Sequence, residues 1–490
     1  MDGATGTDGH VADPAATIRR PLMTAAQRTP TVVAVVLAAG LGTRMKSRTP
    51  KVLHPLLGRP MLAYVLDAAR RATGGSRPVV VYSPPTSAVR DAFADEADMA
   101  LQAEPIGTGD ALRAGLTAVP ADVDEVLVLI GDVPRIHPDL AGALIDERRS
   151  AGTVVALVSV DADEPGSLGR IVRDEAGSVQ AIVEAKDASP DELEISEINA
   201  GIYAFDAAWL RRRIADLRPS PTSGELYLTD LVRFAREDGL GVTSIVVDDD
   251  GRLLGINDRL QLAEAEGDLR AEIVDRLLLA GVSMADPSTA YVEAGVEFAQ
   301  DVFLEPNVIL RGRTSIGEGT TIGAGSQIFD SVIGRDCRIW ASVIESSEVA
   351  DDVRIGPFSH LRPGSVIGRG ARLGNYAEVK NSRLGEGVQQ HHMSYLGDAD
   401  VGARTNVGAG TITANYDGRN KSRTTIGERV FLGVDTMLVA PVSIGDGAKT
   451  GAGAVVTKDV PAGKLAVGVP ARIRDPRPVE PRPSEDGPSS

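Results

Sequence analysis

Apolar positions follow two different periods along this chain, and each period predicts its own architecture. From Ile316 to Pro461 an aliphatic residue recurs about every six positions, usually followed by Gly and then by small or polar residues. The aliphatics stand at Ile316, Ile322, Ile328, Ile333, Ile339, Ile355, Leu361, Ile367, Leu373, Val379, Leu384, Leu396, Val401, Val407, Ile426, Leu432, Leu438, Ile444 and Val456. This period predicts a left-handed parallel β-helix. Each hexapeptide forms a short strand and a turn, three form a triangular coil, and the aliphatic points inward onto its equivalent in the next coil. Glycine recurs because the corners bring backbone close to backbone. The register slips by one residue at a few places and breaks at Arg419 to Thr425, which reads as a loop leaving the coil.

From Thr31 to about Leu254, strand-like runs such as VVAVVLAA, PVVVYS, EVLVLIGD and TVVALVSV alternate with helical stretches such as MLAYVLDAARRA and DLAGALIDERRSAG. The alternation predicts a Rossmann-like α/β domain, a mostly parallel sheet with helices on both faces and ligands at the carboxyl ends of the strands. A helix is expected from about Asp258 to Ala280, with Leu262, Leu269, Ile273, Leu277 and Leu278 as its apolar residues. Asn257 or Asp258 is placed to cap its start and Gly281 to end it. The expected layout is a disordered tail over 1–30, the α/β domain over 31–257, a helical linker over 258–281, the β-helix over 282–474, and a second disordered tail over 475–490.

The 490 residues leave room for two or three domains, each with its own core. A formal charge of −17 argues against a nucleic-acid surface, which needs clustered Lys and Arg. The longest apolar run, Val32 to Ala39, is far short of a membrane span. The only cysteine, Cys337, cannot form an intramolecular disulfide and reads as a buried spacer, which fits a reducing cytoplasm.

Candidate chemistry begins where the first strand runs into Gly40-Leu41-Gly42-Thr43-Arg44-Met45, followed by Pro50-Lys51. A glycine-rich turn after a buried strand presents N–H groups to a phosphate, and a nearby Arg and Lys neutralise it. Met45 stands where a dinucleotide fingerprint needs its third glycine, and no Walker-type Gly-Lys-Ser/Thr occurs, so both of those readings fall away.

The string LAAGLGTRMKSRTPKVLHPLLGRPML resembles the signature of sugar-phosphate nucleotidylyltransferases. Joined to a β-helix, the chain is similar to the bifunctional N-acetylglucosamine-1-phosphate uridyltransferase / glucosamine-1-phosphate N-acetyltransferase family. The resemblance runs roughly from Val32 to Val469 and includes LQAEPIGTGDA, GDVP, GRIV, VEAKDA, INAGI, GINDRLQL, LRPG, GNYAEVK, YLGDA and NVGAGTITANYDG. It implies that Leu37, Ala38, Ala39 and Gly40, with Arg44 and Lys51, contact the nucleotide of UTP, and that Gln102, Gly107 and Thr108 hold uracil. It also implies that Ile130 and Gly131 adjoin the bound nucleotide sugar, that Gly169, Glu184 and Asn199 hold the sugar, and that Asp132 and Asn257 bind Mg²⁺. The implied reaction is in-line attack of a sugar phosphate on the α-phosphorus of UTP. Arg44 and Lys51 would stabilise the developing charge, and one carboxylate with one amide would suffice beside the phosphates for Mg²⁺. Ile130 and Leu168 stand where the family commonly has Tyr.

In the repeat region, Gln389-Gln390-His391-His392-Met393-Ser394-Tyr395 interrupts the aliphatic register with polar groups, which suits a groove better than a dry interior. A histidine suits acetyl transfer because the attacking amine must lose a proton. The family pattern H-x-x-Y-L-G-D assigns the general base to His392, and strand alternation is expected to send His391 to the opposite face. The resemblance further implies a glucosamine-phosphate pocket of Arg362, Lys380, Tyr395 and Asn406, and acetyl-CoA contacts at Ala409, Asn415, Tyr416, Val434 and Ala452, with Val434 replacing an expected serine. The whole would be a cytoplasmic homotrimer making UDP-N-acetylglucosamine for cell-wall polymers. The competing readings are a nucleotidylyltransferase whose β-helix only oligomerises, and a non-catalytic scaffold. The polar break around His392 argues against the first, and the set Arg44, Lys51, Asp132 and Asn257 against the second.

Overall fold

The computed structural model describes residues 30–475, so the two tails expected to be disordered lie outside the described residues apart from Pro30 and Asp475. The N-terminal unit is built on a twisted sheet. Its strands lie side by side in the order Val242–Asp248, Val155–Asp161, Glu197–Asp206, Glu125–Ile130, Val32–Leu37, Val79–Tyr82 and Asp98–Leu101. Val32–Leu37 pairs in parallel with both of its neighbours. Its alternate side chains serve two cores. Val32, Ala34 and Val36 pack with helices Met61–Ala72 and Pro138–Ala151, whereas Val35 and Leu37 pack with Thr108–Leu116, Ala207–Arg213 and Asp230–Glu237. Burial on both faces is why these strands read as continuous apolar runs.

Of these seven strands, one runs against the rest. Glu197–Asp206, which carries the INAGI motif, pairs antiparallel with Glu125–Ile130 and Val155–Asp161, and its register shifts between Asn199 and Tyr203. The irregularity centres on Gly201, with φ of +75°, where a Cβ would stand 2.7 Å from Cγ1 of Ile130. Only glycine fits there, and the bulge turns the chain beside Asn199.

The helix spans Arg259–Leu279. Of the two candidate caps it uses Asp258, whose Oδ1 accepts the N–H groups of Leu260 and Gln261, both at 3.0 Å. Ile273 and Leu277 are buried against the first coils of the β-helix, and Leu262 and Leu269 are partly buried. Leu278, one residue past the buried Leu277, is 38% exposed. Arg135, next to the GDVP turn, pairs with Asp268 at 2.7 Å and Glu272 at 3.0 Å and ties the helix to the sheet.

Beyond the helix, short strands stack into sheets of 12, 10 and 9 strands, the three faces of a left-handed β-helix, paired in parallel except for the last, Arg472–Arg474, which returns antiparallel to Leu465–Val467. The coils begin at Ser283–Met284, ahead of the point where the hexad becomes regular in the sequence. Every aliphatic residue of the hexad series is buried, as is Cys337, whose thiol burial pushes up to about 11. Glycine does not supply the left-handed corners alone. Asp301, Asn307, Asp330, Asp336, Asp352, Asn381, Asp398 and Asp435 also take positive φ, as short polar side chains tolerate.

Ile355 is fully buried and the preceding Arg354 is exposed. Ile355→Ala is expected to destabilise the β-helix by about 2–5 kcal/mol, whereas Arg354→Ala should change stability by no more than about 0.5 kcal/mol. Equal shifts in the denaturant midpoint for the two variants would contradict the inward assignment.

Candidate active sites

At the carboxyl end of Val32–Leu37 the chain turns sharply through Gly40 to Met45. Ala38 donates to Val81 O at 2.9 Å and Gly131 to Leu37 O at 2.9 Å, which seals the strand end. The N–H groups of Gly40, Leu41 and Gly42 form no hydrogen bond among the described residues and remain available to an anion. Gly40 and Leu41 border a cavity of about 270 Å³. Leu37, Ala38, Ala39, Gly40, Lys51, Gln102, Gly107, Thr108, Ile130 and Asp132 all lie on its wall. Gln102 is 2% exposed, and its amide Nε2 donates to Gly107 O at 3.1 Å and Asp110 Oδ2 at 3.0 Å.

A second cavity of about 250 Å³ adjoins the first and shares Ile130 and Asp132 with it. Arg44, Gly169, Glu184, Asn199 and Asn257 line this one. Gly131 lines neither and instead packs between Leu37 O and the Ala38 side chain. Glu184 is raised above the usual carboxylate range, chiefly by burial, although Thr229 Oγ1 donates to it at 3.0 Å. Leu168 lies at the mouth in the loop that Arg170 holds. The buried Arg170 guanidinium donates to the carbonyls of Leu168 and of Gly166, the latter at 2.9 Å. Arg170 was not picked out from the sequence, although it is the Arg of GRIV.

Lys51 Nζ stands at the junction, bonded to Asp132 Oδ2 and, at 3.0 Å, to Asn257 Oδ1. The three residues come from remote parts of the chain. Ile256 N donates to Asp132 O at 3.0 Å, and Asn257 Nδ2 donates to Gly255 O at 2.8 Å, which turns Oδ1 toward Asp132. A carboxylate and an amide oxygen thus converge on one cation, and such an all-oxygen pair fits Mg²⁺.

In the β-helix the expected residues divide between two edges of one face. Glu378 is level with Tyr395 and Lys380 with Gly397, five residues beyond His392. On the far edge, Arg362 pairs with Glu378 at 3.1 Å, and Lys380 Nζ lies 3.7 Å from Asp398. Burial pushes the Asp398 carboxyl up, but hydrogen bonds from the Asn381 and Asn415 amides and the charge of Lys380 outweigh it and hold the group below its usual range. Lys421, in the loop that leaves the coil, has its ammonium lowered by Lys380 first and by Arg362 as well. Three cations therefore crowd one edge. The run Arg419, Lys421, Arg423 is the signal by which sequence reading could have found the third. Asn415 is buried there and Tyr416 is exposed.

The near edge carries His392. Gly410 N bonds Met393 O at 2.6 Å, Asp435 N bonds Ala409 O at 2.7 Å, and Gly453 N bonds Val434 O at 2.8 Å. His392, Ala409, Val434 and Ala452 consequently occupy one corner in successive coils, with Asn406 on the adjoining face. His391 does not turn to the opposite face. Both histidines sit in the turn between strands, exposed, with ring centroids 6.3 Å apart, so strand alternation does not apply. They differ in engagement, since His391 Nε2 is bonded to Gln389 Oε1 at 2.6 Å.

Residues 34–190 match the MobA-like NTP transferase domain, residues 346–381 the bacterial transferase hexapeptide repeats, and residues 423–458 the hexapeptide repeat of succinyl-transferase. The bifunctional protein GlmU of Pelobacter propionicus is 45% identical over 440 residues, spanning 89% of this chain and 95% of the relative. That of Heliobacterium modesticaldum is 44% identical over 434 residues, spanning 89% and 94%. That of Mycobacterium tuberculosis is 42% identical over 440 residues, spanning 88% and 89%. With such identity along nearly its whole length, and a nucleotidyltransferase sheet joined to a hexapeptide β-helix, the chain belongs to the GlmU family of bifunctional proteins.

Proposed function

We propose that this protein makes UDP-N-acetylglucosamine in two steps. The β-helix transfers acetyl from acetyl-CoA to glucosamine-1-phosphate, and the α/β unit then joins N-acetylglucosamine-1-phosphate to UMP from UTP with release of pyrophosphate. The observation that carries the reading is the pair of adjoining cavities that meet at Asp132. One has the backbone donors and buried amide suited to a nucleotide. The other has the carboxylate and amide suited to sugar hydroxyls.

In the uridylyl site, Gln102 spends its N–H donors on Gly107 O and Asp110, so its Oε1 is left to accept the N3–H of uracil. The N–H groups of Gly40 to Gly42 and the cations Arg44 and Lys51 would hold the triphosphate and offset charge on the leaving pyrophosphate. Asp132 and Asn257 would hold Mg²⁺, which when bound supplies charge neutralisation at the reacting phosphate. Lys51, which lies between their oxygens, would move onto phosphate oxygens. Glu184 and Asn199 would orient the sugar so that its phosphate lies in line with the α-phosphorus.

In the acetyl site, Arg362, Lys380 and Lys421 would take the sugar phosphate, with Tyr395 and Asn406 placing the glucosamine ring. His392 would accept the proton of the attacking amine, and the corner formed by Ala409, Val434 and Ala452 would carry the pantetheine arm, with Asn415 and Tyr416 as further contacts. The phosphate cations and His392 occupy opposite edges of one face, which supports a homotrimer in which the cationic edge of one copy meets the His392 edge of the next. The exposed Phe358, Tyr376 and Met393, which continue the His392 edge, would be covered in that assembly. Among the described residues no helix is long and apolar enough to cross a membrane. A cytoplasmic enzyme supplying cell-wall polymers is the setting we infer.

Asp132→Ala should lower uridylyl transfer by about 10³-fold or more while acetyl transfer persists, and His392→Ala should do the reverse. Assays of thiol release and pyrophosphate release on the same samples check this, and loss of both activities in either folded variant would refute the two-site reading. Refolding His392→Ala mixed with Lys380→Ala should restore about a quarter of wild-type acetyl transfer, since random trimers place two intact edges together at that frequency. No recovery in mixed trimers would mean that each site is completed within one chain.

A further inference from the structure

The turn that carries His392 is fixed from three sides. Below it, Gly374 N donates to Gln390 O at 2.8 Å, and a Cβ on Gly374 would fall 2.0 Å from His391 O, so the two coils meet backbone to backbone. Above it, Gly410 N holds Met393 O. The third hold comes from inside the coil. The inward column on this face runs Ile322, Ile339, Ile355, Leu373, and at the next position the aliphatic gives way to Gln390, before Val407 and Leu432 resume the series. Gln390 is fully buried. Its Nε2 donates to Ser394 Oγ at 2.9 Å, and that hydroxyl donates in turn to the carbonyl of His392 at 2.9 Å. Its Oε1 has no partner among the described residues.

A leucine would fill this column without desolvating an amide, so the amide costs stability where the fold has no need of it. What it does instead is anchor the backbone of the residue read as the general base. We propose that Gln390 is a positioning residue for acetyl transfer. Through the Ser394 hydroxyl it fixes the His392 carbonyl, and with it the direction from which the imidazole meets the substrate amine. The proposal rests on the reading of His392 as the base. General-base transfer depends steeply on such placement, since the acceptor nitrogen must lie within hydrogen-bond reach of the amine.

The test compares full-length Gln390→Leu, Ser394→Ala, Ser394→Thr and His392→Ala. In Gln390→Leu the melting temperature and uridylyl transfer should hold, while kcat for acetyl transfer falls about ten-fold or more and KM for glucosamine-1-phosphate is unchanged. Ser394→Ala should show the same split, the double variant should fall no further than either single one, and Ser394→Thr, which keeps the hydroxyl, should retain kcat. An unchanged kcat in Gln390→Leu, or a fall in kcat that tracks a fall in melting temperature, would overturn the proposal even where His392→Ala abolishes acetyl transfer. Full acetyl transfer in His392→Ala would instead remove the base reading on which it stands.

Discussion

The stacking of one aliphatic side chain on its equivalent in the next coil is the constraint that orders the C-terminal half of this protein. Each inward residue excludes water from the one below it, and the parallel backbone pairs hold successive coils about 4.8 Å apart. Once the columns are seated, every corner lies directly over the corner beneath. His392, Ala409, Val434 and Ala452 are widely spaced in sequence yet share one edge for this reason alone. The scaffold therefore specifies distances along its axis with little help from any individual corner residue, and corners are free to carry chemistry.

The α/β unit solves the same problem differently. Its parallel strands end together, and the groups that converge there come from turns far apart in the chain. Asp132 follows one strand, Lys51 follows the glycine-rich turn, and Asn257 arrives from the segment that leads into the long helix. Two neighbouring residues divide the labour at that last point. Asp258 caps the helix, so the Asn257 side chain is left to face Asp132 and Lys51. The Arg135 pairs with Asp268 and Glu272 hold the helix against the same turn, so the relative placement of Asp132 and Asn257 is set by tertiary contacts as well as by local capping.

The architecture of both halves was legible in the sequence because each rests on a period. Continuous apolar runs marked strands buried on two faces, and the hexad marked the coils, while the coils before Ile316 were placed by the end of the long helix rather than by a regular hexad. The antiparallel direction of Glu197–Asp206 was not legible, since direction depends on which neighbour a strand meets and leaves no trace in its own pattern. The motifs led to the residues around the two cavities. They did not reveal Arg170 or Lys421, whose significance comes from a loop carbonyl and from other cations brought near by folding. Strand alternation does not govern His391 and His392, because they lie in a turn.

The loop from Asn415 to Arg423 leaves the β-helix and returns without disturbing it. Ala399–Val401 below and Thr424–Ile426 after the loop pair in register, as if the chain had never departed. Closing a longer loop between two fixed points costs little more than closing a short one. A corner of this kind therefore works as a socket. The segment plugged into it can lengthen, shorten or change its charges while the coils above and below keep their places, so a new ligand preference can be acquired without refolding the scaffold that displays it.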